Sequence, residues 1–133
     1  MKLFLRNSNK FKCKMAEHNE LGKKGEELAV AHLEQNGYLI LETNYTFQKA
    51  EIDIIAKKNN VLAVIEVKTR TTDVFGLPQE FVTPAKVQLL VKAINEYVEQ
   101  NNIELDIRFD IISVLKQNKI FVVEHLEDTF FYF

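Results

Sequence analysis

Glu51-Ile52-Asp53-Ile54-Ile55-Ala56-Lys57-Lys58-Asn59-Asn60-Val61-Leu62-Ala63-Val64-Ile65-Glu66-Val67-Lys68 is the stretch on which the fold of this chain turns. Apolar and β-branched residues dominate both halves, and a polar Lys-Lys-Asn-Asn divides them, the pattern of two strands joined by a tight turn. Asparagine is one of the few residues besides glycine that tolerates the left-handed backbone of hairpin turns. A two-residue loop at Asn59-Asn60 and a symmetric four-residue loop over 58–61 give the same register. In that register Lys58 faces Val61, Asp53 faces Glu66 and Glu51 faces Lys68. Because strand side chains alternate between faces, Glu51, Asp53, Glu66 and Lys68 are expected on one face and Ile52, Ile54, Ile65 and Val67 on the other.

Directly opposed residues of an antiparallel pair lie roughly 4.5–5.5 Å apart at Cβ, where like charges destabilise the sheet. A hard divalent cation would offset the repulsion, since Mg²⁺ typically takes one or two protein carboxylates and leaves its remaining positions to water and phosphate. The rival account is a cross-strand salt bridge between Glu51 and Lys68 with Asp53 half exposed at an edge. For a lone Asp/Glu pair that account is the better one, because charge pairs on sheet surfaces are common and weak. Lys68 shifts the balance. Two residues after Glu66 and on the same face, it can hold or polarise a water beside a metal ion.

The order Asp53, a gap of 13 residues, then Glu66-Val67-Lys68 resembles the PD-(D/E)xK nuclease superfamily. Gly22-Lys23-Lys24-Gly25-Glu26-Glu27-Leu28-Ala29, Gly37-Tyr38-Leu39-Ile40-Leu41, Glu51 to Ala56, Glu66 to Arg70 and Arg108-Phe109-Asp110 further resemble the successive signatures of the YraN-like family of predicted endonucleases, relatives of archaeal Holliday-junction resolvases. The resemblance spans about residues 16–125. One departure is Ala50, where the family usually has glycine. The resemblance implies a restriction-endonuclease-like fold and a Mg²⁺- or Mn²⁺-dependent endonuclease that hydrolyses phosphodiester bonds in DNA, branched or single-stranded DNA included. Asp53, Glu66 and Lys68 would be catalytic. Asp53, Glu66 and the Val67 carbonyl would hold the metal, with Glu26 binding directly or through water. On residues alone Glu26 is equally an exposed partner of Lys23.

Around that core, Asn19 is expected to cap a helix running to about Asn36, with Leu21, Leu28, Ala29, His32 and Leu33 at helical spacing and Gly37 as its stop. An extended segment over Tyr38 to Phe47 precedes the hairpin. Thr71 to Pro78 is loop-like. Thr83 and Pro84 are the cap and first position of a second helix, with Val87, Leu90, Val91, Ile94, Tyr97 and Val98 as its apolar stripe. Two strands follow, about Ile107 to Leu115 and Lys119 to His125, turned at Gln117-Asn118. The architecture is one α/β domain over residues 16–133, a mixed β-sheet flanked by helices in the order helix-strands-helix-strands. Residues 1–15 show no clear period and are expected to form a disordered basic leader. Met15 to Gly22 resembles the usual beginning of family members, so either translation starts at Met15 or the leader is a dispensable arm.

The 133 residues carry a net charge of −2 and a single cysteine, Cys13. That balance argues against a nonspecific nucleic-acid binder, whose footprint is usually basic. Its distribution tempers the argument, because the first half is rich in Lys and Arg, and Arg70, Lys23, Lys24 and Lys86 are the candidate phosphate contacts. The bland reading of each lysine is a solvated surface residue. Glu51 is a candidate partner behind Lys68. No apolar run approaches the roughly 20 residues that span a membrane, no zinc-type Cys/His spacing occurs, and His18, His32 and His125 lack a nucleophile context. A cytoplasmic setting is expected, and so is a homodimer by analogy with resolvases, with Phe130 to Phe133 as a candidate contact. The alternative function is a non-catalytic nucleic-acid-binding or scaffold protein on a nuclease-like fold, and the residues do not separate DNA from RNA.

Overall fold

The computed structural model describes the backbone of residues 2–71 and 82–129, and side chains from residue 19 onward. The element order is α1 (Lys2–Gln35), β1 (Leu39–Phe47), β2 (Ala50–Lys58), β3 (Val61–Thr71), α2 (Pro84–Gln100), β4 (Asp106–Gln117) and β5 (Ile120–Leu126). The five strands form one sheet in sequence order. β3 and β4 are parallel and the other neighbours antiparallel. A parallel pair cannot be closed by a short turn, and α2 lies in the connection. The chain is thus α/β with a mixed sheet, in the expected order.

Two apolar layers sandwich the sheet. On one face Val87, Leu90, Ala93, Ile94 and Tyr97 of α2 pack on Ala50, Ile52, Ile55, Leu62, Val64, Phe109 and Ile111. On the other, Ala29 and Leu33 of α1 pack with Tyr38 on Ile54, Ala56, Ala63, Ile65, Ile112 and Val114. The central strands are buried on both sides, which is why β2 and β3 read as nearly continuous apolar runs. Thr83 caps α2 through its side chain, and Pro84 occupies the first turn, as their chemistry dictates. Gln48, Asn59 and Asn118 take φ of 54°, 53° and 58° in the turns of the β1–β2, β2–β3 and β4–β5 hairpins.

Helix α1 starts at Lys2 rather than at Asn19. No glycine or proline interrupts residues 2–21, and Leu, Lys, Met, Glu and Ala are good helix formers, so Asn19 lies inside a continuous helix and caps nothing. The loop expected after Thr71 and the aromatic tail lie outside the described residues.

Gly25 fixes how closely α1 approaches the sheet. A Cβ at this position would stand 1.9 Å from Thr69 Oγ1 and 2.9 Å from Thr69 Cβ, whereas Gly22 has open space around it. Only the second glycine of the Gly-x-x-Gly-Glu run is therefore needed for close packing. It sets α1 against β3 one residue before Glu26.

Candidate functional site at the end of the central hairpin

The hairpin register holds from Lys58↔Val61 to Ile54↔Ile65 and stops there. Asp53↔Glu66 and Glu51↔Lys68, expected as facing pairs, lie beyond the ladder. The reason is a change of side-chain phase inside β2, which is one strand over Ala50–Lys58. Ile52 and Ile55 pack on the α2 side while Ile54 packs on the α1 side, so the alternation changes phase at Asp53. On the neighbouring strand the register is the same on both sides of this point, Thr43↔Ile54 and Tyr45↔Ile52, and the shift between β1 and β2 lies at Ile40/Glu42; Asn44, between the two pairs, has φ 52°. The expectation that Ile52 shares a face with Ile54 fails because strict alternation presumes a regular strand, and β2 is irregular at Asp53.

At this phase change the Asp53 carboxylate takes a backbone donor. Its Oδ2 accepts the Val67 N–H at 2.8 Å, just past the last paired residues of the β2–β3 ladder, Ile54 and Ile65. Asp53 is thereby anchored beside β3, next to Glu66. Burial is the largest influence on Asp53 and raises its pKa from 3.8 to about 7, helped by the charge of Glu66 and more weakly by Glu26, while the Val67 N–H and Lys86 pull it down. Two carboxylates and a third nearby thus crowd a partly desolvated space, where ionising all of them is costly.

Glu66 is almost fully buried and is compensated. Lys86 Nζ, from the first turn of α2, donates directly to Glu66 Oε1, and Lys68 Nζ lies 3.5 Å from the same oxygen. Lys68 is therefore paired with Glu66 rather than with the expected Glu51. Glu51 is exposed and lines a cleft of about 490 Å³ together with Lys49, Asp53, Glu66, Thr83 and Lys86. Sequence reasoning placed Lys86 only at a phosphate and passed over Lys49. The contact of Lys86 with Glu66 depends on the α2 crossover, which leaves no local signal.

Glu26 is half-buried and Glu27 exposed, and Glu26 acts on Asp53 from the α1 side. Lys23 and Lys24 are exposed on α1, with Lys23 lining a second cleft beside Glu26, Thr43 and Asn44. Arg70 is half-buried two residues past Lys68 on β3. Among the described residues no three acidic, histidine or cysteine side chains converge as a closed metal cage. Asp53 and Glu66 still suit a hard cation that keeps most of its water, because their oxygens are of the right kind and their mutual repulsion would be relieved.

Arg108-Phe109-Asp110 builds a separate polar knot. Asp110 is fully buried and receives Arg108 Nε at 2.9 Å and Nη2 at 2.8 Å, His125 Nε2 at 2.8 Å and the Asp128 N–H at 3.0 Å. Arg108 also donates to the Tyr38 hydroxyl at 2.6 Å. Burial alone would raise the Asp110 pKa, but the bonds from His125, Arg108 and Asp128 outweigh it and hold the carboxyl below its usual range. His125 thus has a structural partner that its position in the sequence did not reveal.

No helix among the described residues is long and apolar enough to cross a membrane. Residues 25–114 match the family model described as "Uncharacterised protein family UPF0102". The chain is similar to a UPF0102 protein of Flavobacterium psychrophilum, 64% identical over 119 residues, covering 90% of this chain and all of the relative. A UPF0102 protein of Christiangramia forsetii is 58% identical over the same coverage, and one of Bacteroides thetaiotaomicron is 44% identical over 88% of this chain and 97% of its own length. A match that takes in α1 from Gly25, the whole central hairpin, α2 and most of β4, with relatives covered almost end to end, means that the chain belongs to the UPF0102 family.

Proposed function

We propose that the protein is a metal-dependent endonuclease acting on phosphodiester bonds in DNA, with branched or single-stranded DNA as the substrates to try first. The observation that carries this reading is the Asp53–Glu66–Lys68 group at the phase change in β2. A carboxylate held near pKa 7 beside a second carboxylate is costly to maintain, and such perturbed groups concentrate at functional sites. The lysine beside them lies 3.5 Å from Glu66 Oε1, in reach of anything bound there.

In this reading Asp53 and Glu66 hold Mg²⁺ or Mn²⁺, with the Val67 carbonyl as a further ligand and Glu26 acting directly or through water. The bound ion would supply Lewis-acid polarisation of a phosphoryl oxygen and a lowered pKa for its water. Lys68 orients the attacking water and offsets charge developing on the phosphate. Lys86 takes a neighbouring phosphate from the cleft side, Arg70 from β3, and Lys23 and Lys24 from α1; these contacts position the nucleic acid without reading its sequence.

The test is Mn²⁺-dependent cleavage of flapped, branched and single-stranded DNA by the purified chain. Asp53→Ala and Lys68→Ala should each lower the rate by at least about 100-fold, the range typical of a lost catalytic group. Binding of such DNA with no metal-dependent cleavage sensitive to those substitutions would sink the enzyme reading in favour of a binding role. Cleavage confined to RNA substrates would reassign the substrate and keep the site.

A further inference from the structure

Glu66 Oε1 is claimed twice over by this chain. Lys86 Nζ contacts it directly, while Lys68 Nζ faces it at 3.5 Å. The two lysines are not equivalent. Lys68 stands on the same strand as Glu66, two residues on, is the less exposed of the two at 25%, and lies farther from the oxygen. Lys86 arrives from another element. It lies in the first turn of α2, whose start is fixed by Thr83 Oγ1 accepting the Lys86 N–H at 3.2 Å. Its side chain is 36% exposed, against 6% for Glu66, and it borders the open cleft with Lys49, Glu51 and Asp53.

A lysine ammonium and a hard divalent cation seek the same thing at that oxygen, and both cannot occupy it. With Lys68 already 3.5 Å away, a divalent ion would be a third positive centre at this oxygen, and Lys86, in direct contact with it, holds the position the ion needs. We propose that Lys86 is an exchangeable counter-ion: it neutralises Glu66 in the metal-free protein, is displaced by the divalent cation, and is then free to take a substrate phosphate. This rests on the metal-site reading given above. Lys86 is suited to leave because its stem is long and flexible and its head already meets solvent. It is suited to its second role because it stands at the positive end of α2, where anions are favoured.

The exchange couples the two ligands. A phosphate that holds Lys86 away from Glu66 removes a competitor for the metal, and by linkage the metal favours the phosphate equally. The chain would bind a divalent ion weakly alone and tightly with nucleic acid.

Titration calorimetry with MnCl₂ alone on the full chain, in the absence of nucleic acid, tests the exchange. Lys86→Met should bind Mn²⁺ about tenfold more tightly than the wild type, a fold-change equivalent to about 1.4 kcal/mol, and Asp53→Asn should bind it more weakly than either. Lys86→Gln provides the same comparison should the methionine variant fold poorly, and circular dichroism checks both. Equal or weaker Mn²⁺ binding by the folded Lys86 variant, with binding by the wild type intact, overturns the counter-ion role and leaves the metal site standing. Absence of Mn²⁺ binding in wild type and Lys86 variants alike at millimolar metal overturns both.

Discussion

At the scale of single residues, Asp53 is the position where stability and function pull apart. Its folded pKa of about 7 exceeds the ordinary 3.8, so between those values the native state binds more protons than the unfolded chain. Stability from this group is fully present below about pH 4 and is lost as pH rises through the folded pKa. In chelator, Asp53→Asn should therefore raise the melting temperature at pH 8 and change it little at pH 4. At about 1.4 kcal/mol per pK unit, screened by the part-exposed cleft, the gain at pH 8 should be roughly 1–3 kcal/mol. Urea melts at the two pH values measure it. An asparagine variant no more stable than wild type at pH 8 would show that the crowding of carboxylates costs nothing. A divalent ion that binds only the folded site should stabilise the wild type at pH 8 and not the variant.

At the scale of elements, two contacts decide where the site can be. Gly25 lets α1 lie against β3, and the space that a methyl group would need is filled by Thr69. Gly25→Ala should cost about 1–3 kcal/mol through overpacking and shift Glu26 away from Asp53. The double variant Gly25→Ala/Thr69→Ala should recover part of that loss, a coupling visible in denaturant midpoints and absent if the helix simply slides. The second contact is the Asp110 knot, which ties β4 to β5, to Tyr38 ahead of β1 and to the turn at Asp128. Asp110→Ala leaves half-buried Arg108 with Glu127 at 3.7 Å as its remaining carboxylate and should cost about 3 kcal/mol, the low end for a broken buried pair. Its lowered pKa gives the opposite sign to Asp53: the stability is present above the unfolded pKa and falls away as pH drops below about 4. Acid unfolding that is unchanged in an Asp110→Asn variant would refute that assignment.

At the scale of the whole molecule, the sequence was most legible where forces are local. The hairpin register was readable because Asn59-Asn60 is a strong turn signal and the flanking runs are long. Helix α2 was readable because Thr83-Pro84 marks its start chemically, and the two-sided burial of β2 and β3 explains their unbroken apolar runs. What depended on tertiary placement was not legible. The phase change at Asp53 lies opposite Asn44 on a different strand, Lys86 reaches Glu66 only across the crossover, and His125 and Asp128 reach Asp110 from the far end of the β4–β5 hairpin. Asp53, Glu66 and Lys68 could be singled out together, but their true geometry required the phase change that sequence alternation cannot show.

The crossover has one more consequence, in the order of assembly. The β2–β3 hairpin closes over residues 58–61, and hairpins form in about 1–10 μs. The parallel β3–β4 pairing must wait for residues 72–105 to be traversed, and such nonlocal contacts form late. Asp53 and Glu66 approach each other as the hairpin closes, whereas Lys86, 20 residues from Glu66, is held in place only once α2 has docked on the sheet. A refolding chain meets their repulsion at its most fragile stage, so stopped-flow refolding in chelator should be faster at pH 5.5 than at pH 8, and Asp53→Asn should erase the difference. Equal wild-type rates at the two pH values would mean that Lys86 arrives together with the hairpin.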